Sequence, residues 1–143
     1  ALEYTAAEGH LLIYGVHAGR GDIPPRLPMQ RVIDWVRRMG GAAVAAHPFQ
    51  KGIVGAPLGS RMLKMKRLTA VETLNASVSR EENKKAQTAA EKLGLCGVGG
   101  SDAHGPGVLG HAYTIFPAPV TTPETLVMAL EAGGYRPAGK NSD

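Results

Sequence analysis

Two periods of hydrophobic position run through the chain. Apolar runs of five or six residues occur at 11–16, 42–46, 70–74, 95–99 and 112–116. Each is too short for a helix and is bounded by Gly, Pro or polar residues, so each reads as a buried strand. Between them the period changes to that of a helix. Val32, Val36 and Met39 mark one over 30–39, with Pro28 ahead of it and Gly40-Gly41 to stop it. Ser60 can cap a short basic helix to about Arg67. The clearest helix is 81–93, where Ser79 and Glu82 form a capping box and Gly94 ends the run. Its apolar face is Ala86, Ala89, Ala90 and Leu93, the spacing of a helix packed on one side. Thr122 caps a last helix with Pro123 in its first turn, and Gly133-Gly134 closes it.

Buried strands alternating with one-sided helices predict an α/β fold, a parallel sheet with helices outside, either open or closed into a barrel. No repeat, low-complexity tract or linker interrupts it, so residues 1–143 read as a single domain. Three loops rich in Gly and Pro (15–28, 47–59 and 97–110) each follow a strand. In a parallel β/α fold all three would open on the C-terminal face of the sheet, where active sites gather.

Composition narrows the class. Hydrophobic residues make up 43% and charged residues 20% of the 143, which suits a globular protein. Aromatics are only 5%, so the core rests on Ala, Val, Leu and Ile. A net charge of +4, from 16 basic and 12 acidic residues, is spread along the chain. That favours anionic ligands weakly and lacks the dense basic stripe of a nucleic-acid binder. Cys96 is the sole cysteine, which rules out an internal disulfide and fits a cytoplasmic setting. No apolar run approaches the ~18 residues of a membrane span. Glu3 and Glu8 stand where a signal peptide would be basic.

The unusual polar residues sit in the loops after the strands. In Gly99-Gly100-Ser101-Asp102-Ala103-His104 a strand runs into two glycines, then a carboxylate and an imidazole two positions apart. Asp and neutral His are good ligands for zinc, manganese or iron, and glycines let backbone pass close to a cluster. His47-Pro48 follows the strand 42–46, a second strand-end histidine on the same predicted face. Glu3 and His10 flank the entry to the first strand. A glutamate can bridge two metals, and His10 could ligate one of them. His17, at the end of that strand, competes with His10 for one role. Each residue alone has an ordinary reading, as a turn cap, a core-edge histidine or a solvated charge. Their coincidence on one face is what points to a shared site.

Taken together these segments resemble the polymerase-and-histidinol-phosphatase (PHP) family. Leu2-Glu3-Tyr4-Thr5 is similar to its glutamate motif, and Gly9-His10-Leu11-Leu12 to the strand that follows. Ala45-Ala46-His47-Pro48-Phe49 is similar to its alanine-histidine-proline motif, and Val71-Glu72-Thr73-Leu74-Asn75 to the next strand. Gly100-Ser101-Asp102-Ala103-His104 matches the closing serine-aspartate-alanine-histidine motif, the most specific of the set. The segment from Val108 to Thr114 resembles the final strand. The resemblance runs from about Leu2 to Arg136.

The resemblance implies a distorted seven-stranded β/α barrel, here incomplete at its N-terminal side because the family's opening His-x-His strand has no counterpart. It implies Glu3, His10, His47, Asp102 and His104 as metal ligands, with His17 in reserve, and up to three divalent ions (zinc, manganese or iron). Glu72 and Asn75 would stand behind the ligands. Where the family often carries an arginine, this chain has His111. The implied reaction is hydrolysis of a phosphate ester by metal-activated water. Arg20 and Lys51, in or beside the loops, are the expected phosphate contacts. His17 or His111 is the expected proton donor to the leaving group. A small phosphorylated substrate is the expected partner. Nucleic acid, through the family's exonucleases, is the less favoured one, no membrane is expected, and the missing first strands predict a homo-oligomer. A reading of a different class is a catalytically incomplete metal-binding or interaction module.

Overall fold

The computed structural model describes residues 1–18, 21–52 and 57–140. Seven strands are present among them: β1 (Leu2–Thr5), β2 (His10–Tyr14), β3 (Ala42–Ala45), β4 (Ala70–Asn75), β5 (Gly97–Gly100), β6 (Ala112–Ile115) and β7 (Arg136–Gly139). Three α-helices join them: α1 (Met29–Arg38), α2 (Arg80–Leu93) and α3 (Pro123–Ala132). The segments Gly59–Lys64 and Pro106–Val108 are 3-10 helices. None of the helices described is long and apolar enough to cross a membrane.

The expected barrel does not form. Strands β1 to β5 make an open sheet in the order β1-β2-β3-β4-β5, and among the described residues β6 pairs only with β7, in a separate two-stranded ladder. The departure lies in strand direction. β2 pairs antiparallel with both β1 and β3, while β3-β4 and β4-β5 are parallel. An apolar run predicts that a strand exists and not which way it points. Residues 6–9 close a tight hairpin, with the Ala6 N–H donating to the Gly9 carbonyl at 2.9 Å. A hairpin of that length forces antiparallel pairing, since a parallel neighbour needs a crossover of a dozen residues or more.

One consequence is that the loop after β2 leaves the sheet at the end opposite to the loops after β3, β4 and β5. The start of β2, by contrast, lies beside the end of β3, where the His10 carbonyl accepts from the Ala46 N–H at 3.1 Å.

Alternation along the strands sorts side chains onto two faces. Leu11, Ile13, Ala43, Ala45 and Val71 point to one face, where α1 brings Met29, Val32, Ile33 and Val36 and α2 brings Ala89 and Ala90. Ala42, Val44, Ala70 and Val98 point to the other, covered by Leu126, Val127 and Leu130 of α3 and by Tyr135. Helix termini follow the sequence signals closely. Ser79 and Glu82 form the reciprocal capping box of α2, Gly94 closes it at φ 65°, and Thr122 caps α3 ahead of Pro123. Helix α1 has no side-chain cap of its own. Instead Glu8, in the β1–β2 turn, accepts the Met29 N–H at 2.8 Å, a carboxylate placed at the positive end of the helix. Met39, expected on the apolar face of α1, ends the helix exposed.

Candidate metal centre

The second face of the sheet is divided. Its half under α3 is apolar. Beyond it, the same alternation brings up polar side chains. Glu3 and Thr5 of β1 share a face with His10, which stands opposite Thr5. Glu72 shares that face with Ala70, two residues earlier in β4. His47 lies two residues past the end of β3, at φ 25°, a left-handed conformation that histidine adopts only when its surroundings impose it. The turn carries its ring back over the start of β2.

Glu3, His10 and His47 meet there. Glu3 Oε1 lies 2.9 Å from His10 Nδ1 and 3.2 Å from His47 Nε2, and the two ring nitrogens are 3.3 Å apart. The rings cross edge to face, with centroids 5.0 Å apart and planes at 75°. Three potential donors to a cation therefore converge from three neighbouring strands. Their mutual separations match the ~3.3 Å edges expected of a tetrahedral site with bonds of about 2.0–2.1 Å. The set fits a divalent ion such as zinc, manganese or iron, which would be held by one carboxylate oxygen and two imidazoles.

Electrostatics bind the cluster together. The hydrogen bond with His10, then that with His47, holds the Glu3 carboxyl far below the usual range despite its partial burial. For the His47 imidazole, burial favours the neutral form. The hydrogen bond to Glu3 and the charges of Glu72, Glu3 and Asp102 outweigh it and raise the pKa. His47 is 6% exposed, and its other ring nitrogen, Nδ1, is buried without a hydrogen-bond partner among the described residues. A ligand histidine usually donates from that second nitrogen to a carbonyl or carboxylate. Here the ring is positioned instead through its backbone and by packing.

That backbone is held by Glu72. Its Oε2 accepts the His47 N–H at 2.8 Å and the Asn75 amide at 3.1 Å, and Asn75 Nδ2 lies 3.4 Å from Asp102 Oδ2. A buried chain of polar groups thus runs from the end of β3 through β4 to the loop after β5. Burial first, then the charge of Asp102, pushes the Glu72 carboxyl above its ordinary value. Burial, with a contribution from Glu72, likewise pushes the Tyr14 hydroxyl up to about 12. Gly100 leaves room for this chain, because a Cβ there would sit 2.4 Å from Glu72 Oε1.

The remaining site residues are placed unequally. Asp102 reaches the cluster through Asn75 and through its charge on His47. Its side chain is 19% exposed, and its backbone is in the left-handed region at φ 49°. His104 is turned out, 91% exposed, with Nδ1 3.0 Å from the Asp102 carbonyl oxygen. His17 follows the far end of β2, exposed, where its charge acts on Glu124 at the start of α3. Of the two competing histidines, the antiparallel course of β2 brings His10 to the cluster and takes His17 away from it. His111 lies outside the cluster, beside β7. The Lys51 N–H donates to Glu82 Oε1 at 2.9 Å, and its charge acts on Glu81 and Glu82. Arg20 lies outside the described residues.

The surroundings add features the sequence did not flag. Next to Glu3 and His10 lies a cleft of about 300 Å³, walled by Tyr4, Thr5, Ile23 and Pro25. The Tyr4 hydroxyl donates to the Pro24 carbonyl at 2.6 Å and accepts the Leu27 N–H at 2.9 Å, tying the loop after β2 back to β1. The alternation of Leu2 and Tyr4 with Glu3 and Thr5 was the available signal.

Residues 80–135 match the family model described as PHP-associated, a stretch that includes Asp102 and His104. Among solved structures, PsfC from Pseudomonas syringae superposes with a TM-score of 0.76 at 19% identity, which is a likeness of fold. The alignment covers 97% of this chain and 58% of PsfC, so the chain spans little more than half of that protein. A candidate metal-dependent phosphoesterase from Bifidobacterium adolescentis is 26% identical over 63% of this chain and 33% of its own, with a TM-score of 0.45. No curated protein matches. The match, from the start of α2 to the residue before β7, supports a relationship to the PHP family.

Proposed function

We propose that this chain forms part of a metal-dependent phosphoester hydrolase. The observation that carries the reading is the convergence of Glu3, His10 and His47 from three strands onto one point of the sheet. Glu3, His10 and His47 would hold a divalent cation, and Asp102 is the next carboxylate in reach through Asn75. A divalent cation supplies Lewis acidity toward phosphoryl oxygens and offsets their charge. The chain's own contribution is positional. Glu72 fixes the His47 backbone, Asn75 steadies Asp102, and the loops after β3 and β5 frame the approach to the site.

Elemental analysis of the purified chain tests this, paired with hydrolysis of p-nitrophenyl phosphate in the presence of manganese or zinc. At least one equivalent of metal, lost in the Glu3→Gln/His47→Ala variant together with hydrolysis, is the expected result. Metal content unchanged in that variant would sink the proposal.

One observation favours a second reading, in which the chain binds metal without hydrolysing esters. His104 stands 91% exposed and apart from the three converging donors. In that case metal would be retained and lost with the same variant, while no hydrolysis above buffer would be measured.

A further inference from the structure

A cleft of about 140 Å³ is walled by the β4–α2 connection, the start of α2 and the neighbouring ends of β6 and β7. Asn75 lines the cleft, and its amide donates to Glu72 and Asp102. The volume is well above the ~10–15 Å³ that a single water requires, so a group of several heavy atoms fits.

The chemistry of the lining is one-signed. Arg80 comes from the first turn of α2, His111 from the loop before β6, and Lys140 from the residue after β7. Among the described residues no aspartate or glutamate lines the cleft. The two loop walls are stitched together, since the Lys140 N–H donates to the His111 carbonyl at 3.0 Å. Asn83 is committed to the backbone carbonyls of Asn75 and Val78, at 3.0 and 3.4 Å, so it shapes the floor and leaves charge recognition to the cations. Two cationic side chains, Arg80 and Lys140, from separate elements stand around one small cleft with the His111 imidazole beside them, and among the described residues no carboxylate offsets their charge there. Arg80 contributes a planar fork that matches a tetrahedral oxyanion, and Lys140 contributes a point charge.

We infer that this cleft binds phosphate, either the free ion or the terminal phosphate of a phosphorylated ligand. The site is separate from the Glu3–His10–His47 cluster and needs no metal.

The test uses the purified chain treated with EDTA, at low ionic strength, titrated with inorganic phosphate and followed by amide NMR. Saturable shifts are expected at residues 75–83, 111 and 139–140. Arg80→Gln/Lys140→Gln, which alters only exposed side chains, is expected to weaken them at least tenfold. Glu3→Gln is expected to leave them unchanged. The inference is overturned if chloride at matched ionic strength gives the same shifts, or if the double variant binds phosphate as the parent does. It is equally overturned if Glu3→Gln abolishes the shifts, since phosphate would then be sitting at the metal centre. Failure of the hydrolase reading would show separately, in the metal content.

Discussion

Replacing Glu72 by alanine probes the link between the fold and the candidate centre. The side chain is buried and its Oε2 accepts two hydrogen bonds, from the His47 N–H at 2.8 Å and from Asn75 Nδ2 at 3.1 Å. In Glu72→Ala the His47 N–H is left buried without an acceptor, a loss of about 1–3 kcal/mol. Removing the side chain also opens a cavity, at ~24 cal/mol per Å³ that does not collapse. Against this stands the relief of a carboxyl whose charged form burial disfavours. The balance is a destabilisation of about 2 kcal/mol, which for a domain of this size is a fall in Tm of roughly 6–8 °C. Glu72→Gln keeps an oxygen for the His47 N–H and should cost less than half as much.

Thermal and urea unfolding of the two variants measure these differences, and a zinc titration measures whether they reach the site. If Glu72 holds His47, zinc affinity falls at least tenfold in Glu72→Ala and recovers largely in Glu72→Gln. A merely structural role would lower stability and leave zinc affinity alone. Stability of Glu72→Ala within about 0.5 kcal/mol of the parent would refute the reasoning, because that is the range of substitutions that touch nothing.

Two further outcomes follow from the geometry. His10→Ala should reduce zinc or manganese affinity at least tenfold by calorimetry and His17→Ala should leave it unchanged, because β2 carries the two residues to opposite ends of the sheet. Equal effects would contradict that placement. Gly99→Ala should destabilise the chain by about 1–3 kcal/mol in urea. Its new Cβ would lie 2.3 Å from the Tyr113 carbonyl oxygen, and backbone has little room to yield.

What the sequence made legible was governed by local chemistry. The capping box at Ser79, the cap at Thr122, the left-handed Gly94 and the alanine face of α2 all follow from interactions within a few residues. The runs at 42–46 and 70–74 were equally plain, because a strand buried on both faces is apolar at nearly every position. β1 and β7 were not. β1 sets only Leu2 and Tyr4 against polar neighbours, and Arg136-Pro137-Ala138-Gly139 has no apolar run at all. Strand direction was also beyond the pattern, and with it went the barrel and the shared face of the three loops. Ser60, read as a helix cap, makes no capping bond in the 3-10 segment that begins at Gly59. The candidate donors could be named from residue type, and Glu3, His10 and His47 do meet. Their assembly depends on a hairpin and on one left-handed residue, neither of which periodicity encodes.

The place of Glu3 on β1 bears on motion. β1 closes the strand order of the described sheet and is paired only with β2, whereas His10 and His47 belong to β2 and the end of β3 in its interior. Strands held on one side open more readily than those held on both, and amide exchange reports such opening. The side-chain cluster runs across the strands, at right angles to their length, and fastens the outer one to its neighbours. Whatever occupies the cluster therefore adds its binding free energy to the closed state of β1. The exchange rates of the four β1 amides become a gauge of occupancy that can be read without any substrate.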